Sequence, residues 1–385
     1  MIYLNVGTFG HVDHGKSTLT RALTGKITDT HSEEIKRGIT IRLGHADFII
    51  YKKGDQYFLK PEKGAKPVKR VFIVDAPGHE SLMATAISAS SIVDGAILVI
   101  AANEPCPQPQ TKEHLAVLQM LGIKNIVIVQ TKIDAVTKEQ ALKNFRQIKE
   151  FVKGTVAENA PIIPVSSTYK INLEYILREL DKFQPVEKEF DYKPLAFTIR
   201  SFDVNKPGTP VKDMVGGVLG GSVITGEFKV GDEIEIKPGI PTENAYMPIY
   251  TKVVSLHLEG EPLEEAKKGG LIAFGTLLDP AIARSDALAG NIIGKKGTLP
   301  DPVRVVKMKF QFMKRDDIPE VPLKQGEPLL LNFFSVTTVG VINQLGKGIA
   351  TVVLKKPIVP IHNKIAVSRR VGNRWRFVGI GEILF

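Results

Sequence analysis

The chain has 385 residues, which is more than one compact core holds and enough for two or three domains. Its single cysteine, Cys106, excludes an intrachain disulfide and favours a reducing compartment. The longest apolar run, Gly95–Ala102, is far too short to cross a bilayer, and no basic segment precedes an apolar one at the N-terminus. We therefore expect a cytoplasmic protein with no membrane partner.

Positive charge is concentrated in two places. The chain carries 51 Lys and Arg against 41 Asp and Glu, a net charge of +10. Residues 301–385 contain 14 basic and 6 acidic side chains, and Tyr51–Arg70 contains 7 basic and 2 acidic. Charge confined to patches favours a nucleic-acid partner, although a solvated surface has the same composition. We expect Arg369 and Arg370 to belong to a polyanion-facing surface.

The first 185 or so residues alternate short apolar runs with helical patterns. This alternation predicts a mostly parallel sheet with helices on both faces. The predicted strands are Tyr3–Thr8, Val71–Asp75, Ala96–Ala101, Ile126–Gln130 and Ile162–Val165. The predicted helices are Lys16–Leu23, His79–Ser90, Gln110–Leu121, Lys138–Val152 and Leu173–Asp181. An edge hairpin is expected from Thr40–Tyr51 and Gln56–Leu59, and the lysine-rich stretch Lys52–Lys69 is expected to be a mobile connection.

The pattern changes after Phe183, where Gln184–Pro194 is typical of a linker. Beyond it, alternating segments are separated by glycine and proline turns, which predicts two β-barrels. The expected organisation is an α/β nucleotide domain at residues 1–190, a β-barrel at 191–300 and a second at 301–385. The predicted strands are Leu195–Phe202, Gly217–Ile224, Glu233–Ile236, Thr251–Leu258, Gly290–Ile293, Val303–Phe312, Pro328–Asn332, Val336–Asn343, Ile349–Leu354, Lys364–Ser368 and Arg374–Ile380.

A phosphate-binding motif follows the first predicted strand. Gly10–Ser17 fits G-x-x-x-x-G-K-[ST] and opens a helix, so its backbone N–H groups face the phosphates of a nucleotide. Lys16 is expected to reach the β- and γ-phosphates, and the Ser17 hydroxyl to ligate Mg²⁺. The predicted nucleotide-binding residues of this segment are Asp13, His14, Gly15, Lys16, Ser17 and Thr18.

Asp75 ends a buried strand beside this loop. A carboxylate facing phosphates requires a cation between them, so we expect Asp75 to hold Mg²⁺. Gly78, three residues later, leaves the backbone free to approach the γ-phosphate. Asp13 lies within the loop itself, and either it points away or its charge is offset by a second cation or by a lysine.

The base is predicted from two later strand ends. Asp134 in Thr131–Asp134 accepts hydrogen bonds from N1–H and N2–H₂ of guanine, donors that adenine does not offer. The Lys132 stem covers the base, and Ile133 belongs to the same segment. Ser166, Ser167 and Thr168 follow the next strand and offer a hydroxyl and N–H groups to guanine O6.

With these motifs in place, the chain resembles the translational GTPases. The segments GHVDHGKST (Gly10–Thr18), RGITI (Arg37–Ile41) and DAPGH (Asp75–His79) carry this resemblance. Other segments resemble the gamma subunit of archaeal and eukaryotic translation initiation factor 2, in a form whose short N-terminus is typical of archaea. They are His31–Gly44, Ala101–His114, Phe202–Thr209, Gly216–Gly221 and Ser368–Trp375.

The resemblance implies a GTPase that carries methionylated initiator tRNA to the small ribosomal subunit, in a heterotrimer with alpha and beta subunits. Its cofactors would be GTP or GDP and Mg²⁺. His79 would position the attacking water, and Val12 and Ile39 would form an apolar gate in front of it. Thr40 would reach Mg²⁺ when GTP is bound, and the Gly38 carbonyl would approach a second ion.

Two departures from the family pattern affect these expectations. The region Lys52–Lys69 lacks the four cysteines of the family's zinc knuckle, so we expect no zinc. Thr131 replaces the usual asparagine of the guanine motif, which should weaken the support of the loop by about 1 kcal/mol without changing the base.

Four alternative functions share part of this pattern. Elongation factor Tu and the selenocysteine elongation factor share the fold, but the strings PCPQPQ and DVNKPGT disfavour both. The latter is disfavoured further because we expect no extra C-terminal module here. A regulatory GTPase of sulfate activation is disfavoured by the charge of residues 301–385. An RNA-binding scaffold without hydrolysis is disfavoured by His79.

Overall fold

A computed structural model describes residues 1–26, 44–75, 87, 92–186, 190–243, 245–313, 318, 321–346 and 348–384. It divides into two compact units, Met1–Val186 and Glu187–Phe385. Within the described residues, no helix is both long and apolar enough to span a bilayer.

The first unit is built on a seven-stranded sheet. Its strands are β1 (Ile2–Gly10), β2 (Gly44–Lys53), β3 (Gln56–Phe58), β4 (Lys66–Asp75), β5 (Gly95–Ala101), β6 (Ile126–Thr131) and β7 (Ile162–Pro164). They lie in the order β3-β2-β4-β1-β5-β6-β7, in which β4, β1, β5, β6 and β7 are parallel and the edge hairpin β2–β3 is antiparallel. The mostly parallel sheet and its edge hairpin are as predicted.

Helices cover both faces of this sheet. The described helices of the unit are α1 (Lys16–Thr24), α2 (Pro109–Met120), α3 (Lys138–Val152) and α4 (Leu173–Lys182). Leucines of α1 and α4 join Leu4 and Val6 of β1 in one apolar cluster. Phe9 points to the opposite face, because side chains alternate along a strand, and its ring packs edge-on against His114 of α2. The helix predicted at His79–Ser90 lies outside the described residues except for Ile87.

The lysine-rich stretch differs from its prediction, because β4 begins within it, at Lys66. Lys69 is buried, and its ammonium group donates to the carbonyls of Leu180, Asp181 and Phe183. These carbonyls belong to the last turn of α4 and its C-terminal end, so Lys69 caps that helix. Burial lowers the pKa of Lys69. The prediction of a mobile connection was therefore wrong for residues 66–69, because the lysine content of a segment does not reveal which of its lysines are buried.

The second unit contains two antiparallel barrels. The strands of the first are β8 (Leu195–Phe202), β9 (Val218–Thr225), β10 (Glu227–Lys229), β11 (Glu233–Pro241), β12 (Tyr246–Leu258), β13 (Glu261–Leu263), β14 (Glu265–Lys267), β15 (Ile272–Thr276) and β16 (Ile292–Lys295), and α5 (Pro280–Ala283) is a single helical turn. Six of them close a ring in the order β11-β16-β8-β9-β15-β12, because β12 pairs back with β11. The sequence pattern missed β10, β13 and β14, which have three residues each, and β15.

The second barrel is closed by six strands in the order β17-β20-β19-β18-β21-β22. They are β17 (Val303–Phe312), β18 (Pro328–Phe333), β19 (Val336–Gly346), β20 (Ile349–Ile358), β21 (Lys364–Val371) and β22 (Arg374–Leu384). Two barrels after an α/β domain are as predicted. Arg370 is exposed, but the guanidinium of Arg369 binds the Glu327 carboxylate through two contacts of 2.7 and 3.0 Å. The charge of Arg369 is therefore already balanced within the barrel.

Candidate nucleotide site

The phosphate-binding motif forms the connection between β1 and α1. Gly15 precedes the helix with a φ of 87°, a left-handed conformation that glycine adopts without strain. Gly10 has a φ of 142°, and a Cβ atom there would lie 2.2 Å from the Val99 carbonyl oxygen. Both ends of the loop therefore require glycine, and the N-terminus of α1 faces the space that the loop encloses.

The side chain of Lys16 lies along the loop. It is buried, and its Nζ donates to the carbonyls of Gly10 at 3.1 Å and His11 at 2.7 Å. Val12 is half-buried, whereas Asp13 and Thr18 are exposed. Asp13 has a φ of 60°, a conformation that aspartate tolerates better than most residues. The ammonium group of Lys16 is therefore held against carbonyls of the loop itself.

Oxygen donors suited to Mg²⁺ lie beside the loop. The fully buried Asp75 carboxylate accepts one hydrogen bond from the Ser17 hydroxyl at 2.9 Å and another from the Thr8 hydroxyl. Thr8 and Asp75 face each other across the parallel pair of β1 and β4. Mg²⁺ prefers such hard oxygens and takes its remaining ligands from phosphates and water. Ser17 and Asp75 therefore fit the expected ion.

The base-recognition segment is bonded to the phosphate loop. Thr131 ends β6, and its buried hydroxyl donates to the carbonyl of His14 at 2.6 Å. Lys132 follows with a φ of 57°, and Ile133–Ala135 forms a single turn of 3₁₀ helix that leaves Asp134 exposed. A threonine hydroxyl donates one hydrogen bond, and here that bond joins the base-recognition segment to the phosphate loop.

The serine segment after β7 forms a tight turn. Ser166 is buried, its Oγ accepts from the N–H of Tyr169 at 3.2 Å, and its carbonyl accepts from the N–H of Ile171 at 2.9 Å. The Oγ of Ser167 is buried and has no hydrogen-bond partner among the described residues, whereas Thr168 is exposed. These residues lie at the carboxyl end of β7, the edge at which α/β sheets bind ligands.

The structure thus places the loop, Asp75, the Thr131 segment and the serine segment at the carboxyl ends of β1, β4, β6 and β7. Direct contacts join the first three of these elements. Other predicted site residues lie outside the described part of the chain, and their roles stay predictions. They are Gly38, Ile39, Thr40, Gly78 and His79.

Two buried histidines support the loop. The Nδ1 of His14 faces the carbonyl of Val99 at 3.2 Å, and the Nδ1 of His114 accepts the N–H of Gly10 at 2.7 Å. Burial lowers the pKa of each imidazole to about 3. Both rings are therefore neutral at pH 7, and the 3.5 Å approach of His14 Nε2 to the Glu104 carboxylate is not an ion pair.

Sequence reasoning missed the support of the loop. His114 ends the segment Ala101–His114, which carries the family resemblance, but the sequence predicted no function for it. Asn144 of α3 was also missed: its amide donates to the carbonyls of Ala101 and Glu104, and its Oδ1 accepts from Gln130 of β6. The sequence shows only that these polar residues lie within otherwise apolar segments, and this pattern does not indicate what they contact.

Sequence comparisons define the class of protein to which this fold and this site belong. The profile described as "Elongation factor Tu GTP binding domain" matches residues 1–186, and "Elongation factor Tu domain 2" matches residues 216–298. A third profile, "Initiation factor eIF2 gamma, C terminal", matches residues 304–383. The chain is a GTPase of the translational class, a class whose cofactors are GTP or GDP and Mg²⁺.

Curated relatives narrow this class. The translation initiation factor 2 subunit gamma of Methanocaldococcus jannaschii is 50% identical over 99% of this chain and 97% of its own length. The subunit of the same name from Pyrococcus horikoshii is 49% identical, with the same coverage. The chain belongs to the family of translation initiation factor 2 gamma subunits, and it is a GTP-dependent factor of translation initiation.

Solved structures share the fold. A bacterial selenocysteine-specific elongation factor superposes with a TM-score of 0.77 at 30% identity, and the match covers all of this chain but only 58% of that one. The elongation factor SelB of Methanococcus maripaludis, solved with the GTP analogue GPPNHP, has a TM-score of 0.74 at 24% identity and is covered to 79%. The fold alone therefore does not separate initiation from elongation factors, whereas the full-length sequence identity does.

Proposed function

We propose that the protein carries methionylated initiator tRNA to the small ribosomal subunit and releases it when GTP is hydrolysed to GDP and phosphate. The observation that carries this proposal is the phosphate loop bonded to Asp75 and Thr131, in a chain about half identical to initiation factor 2 gamma subunits over nearly its whole length. The excess of basic residues in the second barrel supports an RNA cargo.

The nucleotide would bind along the carboxyl edge of the first sheet. Its phosphates would lie against the loop and Lys16, and its guanine against Asp134 and the segment 166–168. Ser17 and Asp75 would hold Mg²⁺, joined by Thr40 from outside the described residues. When bound, this ion would offset the negative charge of the phosphates.

Hydrolysis would depend on residues near the γ-phosphate. We propose that His79 orients the attacking water and that Val12 and Ile39 keep His79 away until activation. We also propose that the Gly78 backbone approaches the γ-phosphate. Orientation and charge stabilisation supply most of the catalysis in phosphoryl transfer, so these roles need no covalent step. Asp13 and the Gly38 carbonyl are proposed contacts of a second ion.

Base preference tests the guanine site. GDP should displace a fluorescent GDP analogue at concentrations at which ADP has no effect. An Asp134→Asn substitution should weaken GDP binding by more than about 100-fold, because the amide offers a donor where guanine also presents one. Equal displacement by ADP and GDP would contradict the assignment of the base.

Cargo binding tests the proposed function as a whole. With GTP, the protein and its alpha and beta subunits should retain methionylated initiator tRNA on a filter, and GDP should weaken this retention. Methionylated elongator tRNA is the matched control, since it carries the same amino acid. Preference for the elongator species would favour an elongation factor, and an affinity insensitive to salt would favour a GTPase without RNA cargo.

The remaining proposals concern organisation. We propose a cytoplasmic heterotrimer with alpha and beta subunits, in which this chain contributes three domains at residues 1–190, 191–300 and 301–385. The three profile matches support these divisions. We also propose that the factor binds no zinc, because Lys52–Lys69 contains no cysteine.

A further inference from the structure

The imidazole of His114 connects α2 to the first residue of the phosphate loop. It is 1% exposed, and its Nδ1 accepts the N–H of Gly10 at 2.7 Å. We propose that His114 is a positioning residue for the nucleotide: it fixes the orientation of the Phe9–Gly10 peptide, at which the phosphate-binding loop begins. This inference rests on the proposed nucleotide site.

The two peptide groups that flank the Cα of Gly10 each make a hydrogen bond to a buried side chain. The N–H of Gly10 is bonded to His114, and its carbonyl accepts from the ammonium of Lys16 at 3.1 Å. Gly10 has no side chain to pack, and none is possible because a Cβ would lie 2.2 Å from the Val99 oxygen. The pairing of β1 with β5 and these hydrogen bonds therefore fix the conformation of this residue. Loss of the bond to His114 would leave the buried N–H of the Phe9–Gly10 peptide without an acceptor, directly before the carbonyl that holds Lys16.

Packing alone does not account for an imidazole at this position. The Nδ1 of His114 accepts a hydrogen bond only when the ring is neutral and carries its proton on Nε2. That Nε2 is buried and has no hydrogen-bond partner among the described residues. A buried N–H without an acceptor destabilises the folded state, and a leucine at this position would pack beside Phe9 without one. The acceptor at Nδ1 explains the histidine.

The test compares two substitutions of similar size, His114→Asn and His114→Leu. The Oδ1 of asparagine lies close to the place of the histidine Nδ1 and keeps the acceptor, whereas leucine removes it. A Thr111→Val substitution is the control, because Thr111 is buried in the same helix and its hydroxyl has no partner among the described residues. Dissociation of fluorescent GDP is measured by stopped flow, with the thermal unfolding temperature of each variant alongside.

We expect His114→Leu to raise the GDP dissociation rate about five- to tenfold, the effect of one lost hydrogen bond. The asparagine variant should stay within about twofold of the unmodified chain, and Thr111→Val should not differ from it. Equal acceleration in both His114 variants, or none in either, would overturn the inference, because the role would then be packing. If the unmodified chain binds no GDP, the proposed nucleotide site itself fails, and this inference fails with it.

Discussion

The hydrogen bond between Thr131 and the phosphate loop should contribute measurably to the free energy of unfolding of the first unit. Thr131→Val keeps the shape of the side chain and removes the hydroxyl that donates to the His14 carbonyl at 2.6 Å. Thr131 is 2% exposed, so water is poorly placed to replace the donor. A buried acceptor that loses its partner costs about 1–2 kcal/mol, which corresponds to roughly a five- to thirtyfold change in the unfolding equilibrium of the first unit. GDP should also dissociate faster, because the two loops are no longer joined.

Urea unfolding followed by the far-ultraviolet helical signal measures this loss. The helical signal reports on the first unit, since α1 to α4 lie there and the described part of the second unit has only short helical turns. Fluorescence of Trp375 is unsuitable, because the only tryptophan lies in β22. Thr131→Ser should retain most of the stability, and Thr111→Val should be close to neutral. A Thr131→Val variant as stable as the unmodified chain would refute the reasoning, as would a Thr111→Val variant equally destabilised.

Four further perturbations have defined outcomes. Gly10→Ala should abolish GDP binding and destabilise the first unit by about 3 kcal/mol or more, because the φ of 142° and the Val99 carbonyl leave no room for a Cβ atom. An unchanged affinity for GDP in a titration would contradict this. Lys69→Met should cost about 3 kcal/mol in urea unfolding, because three carbonyls lose their ammonium donor, and a loss below the error of the fit would be inconsistent with the cap. The pKa values of His14 and His114 are both about 3 in the folded chain, so unfolding takes up protons below pH 6.5. The stability that these neutral rings provide is fully present above pH 6.5 and falls towards pH 3, by at most about 1.4 kcal/mol per pH unit for each ring. The urea midpoint should therefore decline from pH 7 to pH 5, and it should decline less in the His114→Asn variant. Arg370→Glu should leave unfolding unchanged and lower the affinity for RNA and its salt dependence, whereas unchanged RNA affinity would assign the charge to solubility.

The sequence by itself determined the features that depend on local patterns. The phosphate loop is contiguous, so its glycines, lysine and serine are visible as a motif. Alternating strands and helices predicted the parallel sheet, and regular short strands predicted both barrels, because side-chain periodicity follows directly from backbone geometry. The base was predicted from residues at strand ends, since parallel strands bring these ends to one edge.

Only the tertiary structure decided which distant residues hold these features in place. His114 bonds to a residue 104 positions away, and Thr131 to one 117 positions away, through contacts that depend on the order of strands in the sheet. Lys69 looks like a surface lysine in the sequence but caps a helix that begins more than a hundred residues later. Hydrogen bonds between buried polar groups are directional and have no periodicity along the chain, so no local pattern predicts their partners. For this reason the sequence identified the nucleotide loop, and the fold identified what supports it.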